Sequence, residues 1–441
     1  MKRLKKLRAA ILTLGCRVNQ YESDAIAARF EALGAVICPA SEAADIYVIN
    51  TCTVTAESDR KSRQFIRRCI KKNPAAVIAV TGCFAQVSSE VAAAIPGVDL
   101  VVGNDRKLSL AEKALQLAMD RNAEIERLDI TDIFEAPFED MTIEKPESRT
   151  RAFVKIEDGC ESKCAYCIIP YARGNIRSKQ AADVIREVEG IVRHGCKEVV
   201  LTGIETSSYG KDFDAPYDLA DLLAEVNAVS GIERIRLGSL DPAAMTEAFI
   251  DRIASLEKLM PHFHISMQSG SNAVLGRMRR RYRAETALAQ LEYLRERIPY
   301  VMFSTDLIVG FPGETDEEFE ETMEFCRRAE FFHLHIFPYS KRRGTPAAEM
   351  PNQVAEDIKS RRLAALAAQQ ATIQEKLIQE QMSADPCASV LFEAWDDAYI
   401  YGHTENFMEV KAPRDPSLSG KIVSVRLTGY EKGICICKPM V

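Results

Sequence analysis

Three cysteines in one short loop are the residues of this chain best suited to metal chemistry. Cys160, Cys164 and Cys167 lie in the run Gly-Cys-Glu-Ser-Lys-Cys-Ala-Tyr-Cys, and this C-x3-C-x2-C spacing offers three thiolates to one metal centre. A [4Fe-4S] cluster held by three thiolates keeps one iron open, and an open iron can bind and activate a small molecule. The spacing therefore predicts an iron–sulfur centre that does chemistry.

Two other interpretations of this triplet stay open at the level of sequence. A structural zinc site takes four ligands, and the side chains available to complete one are His262, His264, His333 and His335. Three unrelated core cysteines are the second alternative. The spacing, with Tyr166 directly before the last thiol, favours the iron–sulfur centre because all three thiolates must reach one cluster from a single loop.

Length and composition indicate a multidomain protein of a reducing compartment. The chain has 441 residues, 47% of them hydrophobic, which is enough for two or three domains with full cores. No run of 18 apolar residues occurs, so we expect no membrane span. The basic residues 1–8 are interpreted as a tail that enters a first strand and not as a signal. Thirteen cysteines without a secretory signal favour a cytoplasmic location and metal ligation.

Residues 1–142 alternate predicted strands and helices, the pattern of a doubly wound, Rossmann-like α/β domain. Three apolar strands each precede a cysteine: residues 9–14 before Cys16, 45–50 before Cys52, and 76–81 before Cys83. Ligand crevices of such sheets form beyond the carboxyl ends of the strands. We therefore expect these three thiols to converge and to hold a second, auxiliary cluster. Scattered buried cysteines are the alternative, and Cys38 and Cys69 are assigned to that class.

Residues 143–375 repeat strand, loop and helix, which predicts a partial (β/α)6 barrel after a polar linker at 143–148. The predicted strands are residues 152–156, 198–202, 234–238, 263–267, 302–309 and 334–338. The active site of such a barrel lies at the carboxyl ends of its strands. The first strand delivers the cysteine loop to that end. Later strands deliver Gly203, Glu205, Ser239, Asp241, Ser266, Gln268 and Gly310.

The last region is predicted to be a small β-barrel. Residues 354–381 form a helical pattern that crosses into this region, and short alternating strands follow at 389–392, 399–401, 406–410, 421–427 and 433–437. The module at 376–441 is not basic, and the whole chain has a net charge of −7. Any RNA contact must therefore use local basic patches.

Three such patches are present. The first is a predicted helix carrying Arg60, Lys61, Arg63, Arg67, Arg68, Lys71 and Lys72. The second comprises Arg277, Arg279, Arg280, Arg281 and Arg283, and the third is Lys341, Arg342 and Arg343. A single run of this kind is more often a solvated face than a binding site, but the second patch is dense enough to indicate phosphate binding.

Taken together, several separated motifs resemble the radical S-adenosylmethionine (SAM) methylthiotransferase family over essentially the whole chain. They are residues 14–23, 50–54, 81–83, 160–174, 264–271, 277–282, 305–315 and 335–345. Residues 15–19, Gly-Cys-Arg-Val-Asn, and 168–170, Ile-Ile-Pro, are most similar to the branch acting on N6-threonylcarbamoyladenosine at tRNA position 37. Branches that modify N6-isopentenyladenosine or a ribosomal protein aspartate typically show Gly-Cys-Gln-Met-Asn or Gly-Cys-Pro-Lys-Asn there. The C-terminal barrel resembles an RNA-binding TRAM module.

The resemblance implies two [4Fe-4S] clusters and SAM as cofactors. The cluster on Cys160, Cys164 and Cys167 would cleave SAM to a deoxyadenosyl radical. The cluster on the three N-terminal cysteines would hold a sulfur atom that another SAM methylates. The radical removes the hydrogen at adenine C2, and the carbon radical takes up the methylthio group. A radical is needed because general-base chemistry does not readily break a strong aryl C–H bond.

The resemblance also implies partners and contact residues. The partners are SAM, the anticodon stem-loop of tRNA, and an electron donor such as flavodoxin or ferredoxin. The residues expected to contact SAM are Tyr166, Glu205, Ser266, Gln268 and Gly310. The residues expected to contact the substrate are Asn19, Arg173, Arg177, Arg279, Arg281 and Arg343. For each of these polar residues, a structural role at the barrel rim is the alternative.

Two rival functions follow from the same sequence. One is a methylthiotransferase that modifies a protein, against which the arginine-rich runs and the branch motifs argue. The other is an iron–sulfur electron carrier or scaffold, which would not require an open-iron barrel. SAM cleavage by the reduced protein separates the carrier from both enzymes.

Overall fold

The N-terminal module is a fully parallel sheet covered by helices on both faces, as the sequence predicts. We describe it and the rest of the chain from a computed structural model, which describes residues 6–143 and 150–440. The sheet order is β2-β1-β3-β4-β5-β6. Its elements are β1 (Arg8–Thr13), α1 (Arg17–Ala32), β2 (Val36–Ile37), β3 (Ile46–Thr51), α2 (Ala56–Lys72), β4 (Val77–Gly82), α3 (Cys83–Val87), α4 (Ser89–Ala93), β5 (Leu100–Val102), α5 (Lys107–Met119) and β6 (Leu128–Asp129).

The two central strands of this sheet explain its parallel arrangement. Every residue of β3 and of β4 is buried, because one apolar core lies on each face of the sheet. Strands buried on both faces are typical of parallel sheets whose crossover helices cover them. The carboxyl ends of β1, β3 and β4 consequently meet at one edge, where the predicted cysteines follow.

The central module is a partial barrel of six parallel strands, and all six predicted strands are confirmed. They form two three-stranded sheets, β7-β10-β11 and β12-β13-β14, joined by the bridges Ile235–Leu259 and Leu240–Ile265. The elements are β7 (Arg151–Lys155), β8 (Glu157–Asp158), α6 (Ile169–Arg173), β9 (Arg177–Ser178), α7 (Ala181–Arg193), β10 (Glu198–Thr202), α8 (Leu219–Ala228), β11 (Arg234–Leu237), α9 (Glu247–Ala254), β12 (His262–Gln268), α10 (Asn272–Arg277), α11 (Ala284–Arg297), β13 (Met302–Val309), α12 (Asp316–Ala329) and β14 (His333–Pro338).

Side chains alternate between the two faces of the barrel wall. On β12, Phe263, Ile265 and Met267 are buried in the core formed with the outer helices, whereas the alternate residues His262, His264, Ser266 and Gln268 are only half-buried. Successive residues of a strand point to opposite faces. The half-buried set therefore faces the interior of the barrel, which is polar and partly open.

The C-terminal strands close into a small barrel of order β15-β16-β17-β19-β18. Its elements are α13 (Glu356–Ala384), β15 (Cys387–Trp395), β16 (Tyr399–Thr404), β17 (Glu409–Pro413), β18 (Ile422–Glu431) and β19 (Ile434–Pro439). The predicted domain boundary at 375/376 falls inside α13. The predicted third strand, 406–410, is displaced because Phe407 has a φ of 71° and turns the chain there. Of the predicted linker, residues 144–148 lie outside the described residues.

The C-terminal barrel docks at the amino ends of the central strands. The ring of Phe407 stacks between His262 and His403, with centroid distances of 4.8 and 4.5 Å, and the guanidinium of Arg236 lies 4.8 Å from its centre. Arg234 and Arg236 also donate to backbone carbonyls of this barrel. The carboxyl ends of the central strands are at the opposite end of the module and remain available for chemistry.

Candidate active site

The cysteine triplet follows β8 in a loop that its first glycine makes possible. Gly159 has a φ of 92°, and a Cβ there would lie 1.9 Å from the carbonyl oxygen of Asn175. Only glycine tolerates both conditions. Cys160 then bonds through its amide to Gly174 O at 3.0 Å. The loop is therefore fixed at its base, and the three thiols leave it together.

The thiols of the triplet influence one another and are poorly solvated. Burial raises the pKa of Cys160 to about 11, and the neighbouring Cys164 adds to this effect. Burial likewise raises the pKa of Cys167 to about 12, with Cys164 and Cys160 adding. Thiols in such surroundings become thiolates when a metal replaces their protons. The donor set fits an iron–sulfur cluster with three protein ligands.

Arg280 is a functional candidate whose placement the sequence did not reveal. Its guanidinium donates to Cys164 Sγ at 3.3 Å, to Asp241 at 2.8 Å and to Ser266 O at 3.0 Å. The preceding Arg279 has a left-handed backbone with a φ of 61°, and this turn sends Arg280 inward. Sequence reasoning placed the whole run 277–283 at phosphates. A positive charge beside the thiolates stabilises their anionic form.

A cavity of about 250 Å³ lies beside the triplet and carries charges of both signs. Its lining residues are Ser162, Lys163, Cys164, Glu205, Ser207, Ser208, Lys211, Asp241, Ala243, Ala244, Arg279, Arg280 and Arg281. Burial raises the pKa of the Glu205 carboxyl, and the nearby Asp241 raises it further. A site with carboxylates and cations together suits a zwitterionic amino-acid group better than an apolar ligand.

The other residues predicted to contact SAM have different surroundings. Tyr166 packs edge-on against Phe311, with ring centroids 6.4 Å apart. Ser266 contributes its carbonyl to Arg280, and Gln268 has a φ of 66° where β12 loses register with β13. A Cβ at Gly310 would lie 2.3 Å from Lys359 Cγ, so this glycine is needed for the close approach of α13. None of these four residues lines the cavity.

The second set of cysteines occupies the edge of the N-terminal sheet that the sequence predicts. Cys16 precedes α1, Cys52 follows β3, and Cys83 begins α3 directly after β4. Burial raises the pKa of Cys52 to about 11, and the proximity of Cys83 and Cys16 contributes. A Cβ at Gly15 would lie 3.0 Å from Cys52 Sγ. The three thiols are thus neighbours, although they are 67 positions apart from first to last in the sequence.

Neither cysteine set is compact enough for one zinc ion. Zinc–sulfur bonds of about 2.3 Å in a tetrahedron place thiolates about 3.8 Å apart. Within the described residues, no cysteine belongs to a group of three potential ligands whose donor atoms all lie within 4.8 Å of one another. The irons of a cluster stand at separate corners, so their thiolates are farther apart. The wider spacing of the thiols fits an iron–sulfur cluster better than a single zinc ion.

A buried ion cluster joins the two cysteine sites. Glu22 of α1 accepts hydrogen bonds from Lys107, Lys155 and Arg173, and all four side chains are fully buried. Lys155 and Arg173 also donate to Asp158 at 2.7 and 3.1 Å. Glu22 and Lys107 belong to the N-terminal module and the others to the central one. The cluster therefore fixes how the two modules sit against each other.

Three residues predicted to contact the substrate lie in or beside this ion cluster. Arg173 is fully buried and donates to Asn19 Oδ1 as well as to Glu22. Arg177 is buried and donates to the carbonyls of Ile133 and Arg173. Asn19 donates to Leu14 O and Thr51 O, at the bases of the Cys16 and Cys52 loops. All three are buried and paired, which is the arrangement of positioning residues, and the substrate contact stays a prediction.

The charges of the cluster fit an anionic group at the auxiliary site. The buried cations are Lys107, Lys155, Arg173 and Arg177, and the anions facing them are Glu22, Asp158 and the half-buried Glu139. Four positive charges against three negative ones leave an excess of one. The Cys83 thiolate favours the charged forms of Arg173 and Lys107. An iron–sulfur cluster bound by three thiolates at the auxiliary site would supply the missing negative charge.

The remaining predicted substrate contacts are on the surface. Arg279, Arg281 and Arg343 are exposed. Between them and the N-terminal module, Arg342 is buried and donates to Asp59 and Thr53, both at 2.7 Å. This bridge brings the neighbouring Arg343 close to the start of α2, whose outward face carries the first basic patch, whereas Arg279 and Arg281 line the cavity beside Cys164. The first and third basic patches are therefore adjacent, and the second lies beside the cysteine triplet.

Among the described residues, no helix has both the length and the apolar character needed to cross a membrane.

Known proteins are similar to this chain in sequence and in fold. The profile of the Radical SAM superfamily matches residues 154–326, and that of the uncharacterized protein family UPF0004 matches residues 8–103. A threonylcarbamoyladenosine tRNA methylthiotransferase MtaB of Bacillus subtilis is 42% identical over 96% of this chain and 94% of its own length. A tRNA-2-methylthio-N(6)-dimethylallyladenosine synthase of Alkaliphilus oremlandii is 36% identical over 96% of this chain and 90% of its own length.

One solved structure shows the same fold at low identity. The radical S-adenosylmethionine methyltransferase TsrM of Kitasatospora setae has a TM-score of 0.58 and 15% identity over 78% of this chain and 77% of its own. The full-length similarity to the curated relatives is much closer, and it covers both cysteine sites. From its sequence relatives and its fold, the chain belongs to the radical SAM methylthiotransferase family.

Proposed function

We propose that this protein transfers a methylthio group to adenine C2 of N6-threonylcarbamoyladenosine at position 37 of tRNA, with two [4Fe-4S] clusters. The observation that carries the proposal is the pairing of two three-thiol sites, each at the carboxyl ends of a parallel sheet, across one buried ion cluster. The names of its relatives support the reaction and the tRNA substrate. The branch motif at 15–19 supports the threonylcarbamoyl group.

The residues of the chain have distinct roles in this proposal. When bound, the clusters supply an electron for reductive cleavage of SAM and an iron position for the transferred sulfur. Glu205 and Asp241 offer carboxylates to the SAM amino group, and Lys211 offers a cation to its carboxylate. Arg280 holds a positive charge at Cys164 Sγ. Together they orient SAM beside the triplet loop.

The exposed arginines at the rim are proposed to hold the anticodon stem-loop. Arg279, Arg281 and Arg343 are available for phosphates, and such contacts set the position of a nucleic acid without reading its bases. The outward face of α2 extends this surface. The electron is proposed to come from a flavodoxin or ferredoxin, and the reaction takes place in the cytoplasm, where reduced thiols persist.

Two cysteine substitutions test the separate roles of the triplet and the auxiliary site. Cys164→Ala should abolish release of 5′-deoxyadenosine from SAM, whereas Cys52→Ala should retain that release and form no methylthio nucleoside. Cys387→Ala, at a half-buried position of β15, is the matched control and should keep both activities. SAM cleavage by the Cys164→Ala protein would refute the triplet assignment. Methylthio product from the Cys52→Ala protein would remove the auxiliary site from the mechanism.

Nucleoside mass spectrometry of total tRNA from cells lacking the gene tests the substrate. Loss of the 2-methylthio derivative of N6-threonylcarbamoyladenosine alone is the expected result. Loss of the dimethylallyl analogue in its place would leave the chemistry intact and refute the assigned branch. No change in either nucleoside would refute a tRNA substrate and would favour a protein substrate or the electron-carrier alternative.

A further inference from the structure

Three polar side chains meet on the inner wall of the central barrel, away from both cysteine sites. They are His264 of β12, Asp306 of β13 and His335 of β14, here called the barrel triad. Their donor atoms all lie within 4.8 Å of one another, and no other such set of three occurs in the part of the chain that the structure describes. Asp306 and His335 are paired across β13 and β14. Three adjacent strands thus bring the set together.

The spacing within the barrel triad is that of ligands around a metal ion. His264 Nε2 and Asp306 Oδ2 are 3.4 Å apart, longer than the roughly 2.7–2.9 Å of a charge-assisted hydrogen bond. An ion with ligand bonds of about 2.1 Å in a tetrahedron separates its ligands by about 3.4 Å. The ring centres of His264 and His335 are 5.4 Å apart. The three donor atoms are therefore close enough to one another to share one ion.

A second layer of contacts orients the first histidine. His264 Nδ1 lies 3.0 Å from Ser304 Oγ, and Ser304 Oγ lies 3.1 Å from His262 Nε2. Metal-binding histidines typically donate their other ring N–H to such a partner, which fixes the tautomer and the ring plane. With His264 Nδ1–H donating to Ser304, the lone pair on Nε2 faces Asp306. The ring is prepared for ligation.

We propose that the barrel triad binds a divalent transition-metal ion such as Zn²⁺. Two imidazoles and one carboxylate suit such an ion and leave at least one coordination position open. His264 and Asp306 are half-buried and His335 is exposed, so an external ligand can reach that position. The oxygen-rich sites typical of Mg²⁺ or Ca²⁺ have a different donor set. From the sequence, His264 and His335 were expected only as possible zinc ligands together with the cysteine triplet.

The open position is placed to receive part of the substrate, and this step rests on the proposed function. On β12 the next inward residue after His264 is Ser266, two positions and about 7 Å along the strand. The Ser266 carbonyl accepts from Arg280, which also contacts Cys164. The threonylcarbamoyl side chain carries a carboxylate, and the dimethylallyl side chain does not. The ion is proposed to bind this carboxylate and so to favour the threonylcarbamoyl substrate.

Zinc binding by the cluster-loaded protein tests the site directly. Both clusters are first reconstituted without oxygen, so that the six cysteines are occupied, and equilibrium dialysis then measures bound Zn²⁺. We expect about one ion per chain, with a dissociation constant at least tenfold higher for His335→Ala. His194→Ala is the control, because His194 lies at the end of α7, 3.0 Å from Gly190 O, and is not part of the barrel triad. It should bind zinc as the wild type does.

Two further measurements keep the outcomes separate. Anomalous diffraction at the zinc edge from wild-type crystals should place the ion at the barrel triad, which needs no variant to fold. Equal zinc binding by all three proteins, or an ion elsewhere, means an adventitious ion only and overturns the proposal. Steady-state kinetics test the role of the ion in substrate binding. His335→Ala should raise KM for a threonylcarbamoyl stem-loop RNA at least tenfold, because the ion that binds its carboxylate is lost. An unchanged KM with zinc binding lost would overturn the carboxylate role alone. Zinc at the triad in a protein that makes no methylthio product would refute the proposed function and leave the metal site standing.

Discussion

Replacing Glu22 with glutamine should destabilise the protein more than any surface substitution does. The Glu22 carboxylate is fully buried and accepts from Lys107, Lys155 and Arg173, on both sides of the joint between the modules. Glutamine has nearly the same shape but no charge, so the three cations remain buried with one anion fewer. Removing one partner from a buried ion pair costs about 3–5 kcal/mol. The midpoint of thermal unfolding should fall by roughly 6–20 °C, at about 2–4 °C per kcal/mol for modules of this size.

The matched control lies on the same helix. Glu31 is an exposed residue of α1, and Glu31→Gln should change the free energy of unfolding by no more than about 0.5 kcal/mol. Differential scanning calorimetry of both variants with clusters loaded gives the comparison. Equal midpoints for Glu22→Gln and Glu31→Gln would refute the reasoning, because the buried ion cluster would then contribute nothing to holding the modules together.

The pH dependence of the same variant checks the electrostatic origin of the effect. Burial alone would raise the pKa of Glu22, but attraction by Arg173, Lys107 and Lys155 outweighs it and holds the pKa well below its usual range. A carboxylate with a depressed pKa contributes stability that is complete above the unfolded-state pKa and is lost as the pH falls below it. The difference in the free energy of unfolding between wild type and Glu22→Gln should have its full size at pH 7 and should shrink below about pH 4.

Three further predictions follow from other sites. Arg280→Met removes the positive charge next to Cys164 and should make the reduction potential of the triplet cluster more negative in an EPR-monitored titration, whereas Arg281→Met, at an exposed position, should not. Burial raises the pKa of Glu157 well above its usual range, so the contribution of Glu157 to wild-type stability should fall as the pH rises above about 4.5. Glu157→Gln should flatten the dependence of the free energy of unfolding on pH between about pH 5 and 8. An unchanged dependence would contradict a raised pKa for Glu157. Phe407→Ala empties the stacked contact between the C-terminal barrel and the central module and should cost about 2–4 kcal/mol in denaturant unfolding, against less than about 0.5 for Ala at exposed Tyr399.

The sequence was sufficient to predict the strands and the cysteine sites because both depend on local patterns. Apolar segments of four to eight residues bounded by turn residues mark buried parallel strands. The carboxyl end of such a strand is a fixed place in the fold, so a cysteine just beyond it has a predictable position. Cys16, Cys52 and Cys83 were placed together by this argument, and the structure brings them together.

Burial between modules was not predictable in the same way. The family resemblance implied that Arg173, close to the triplet in sequence, contacts the substrate. Its partner Glu22 is 151 positions away, and no periodicity in either segment indicates that the two meet. The inward turn of Arg280 depends in the same way on the left-handed backbone at Arg279, a residue that has no glycine-like signature in the sequence.

In the proposed reaction two separate cysteine sites act on one substrate atom, and the buried ion cluster lies between them. Asp158 lies two residues before Cys160, and Asn19 supports the carbonyls of Leu14 and Thr51, each close to a ligand of the auxiliary site. The Arg173 guanidinium contacts both Asp158 and Asn19, so a single rigid group spans the bases of the two cysteine loops. Guanidinium is planar and permanently charged, and in a buried site it tolerates little displacement from its partners. Transfer of a group assembled at one site to a carbon activated at the other requires such a fixed separation, because a displacement of about 1 Å is enough to cost a hundredfold in rate. We propose that the buried Arg173 holds the two cysteine sites at a fixed separation through these contacts.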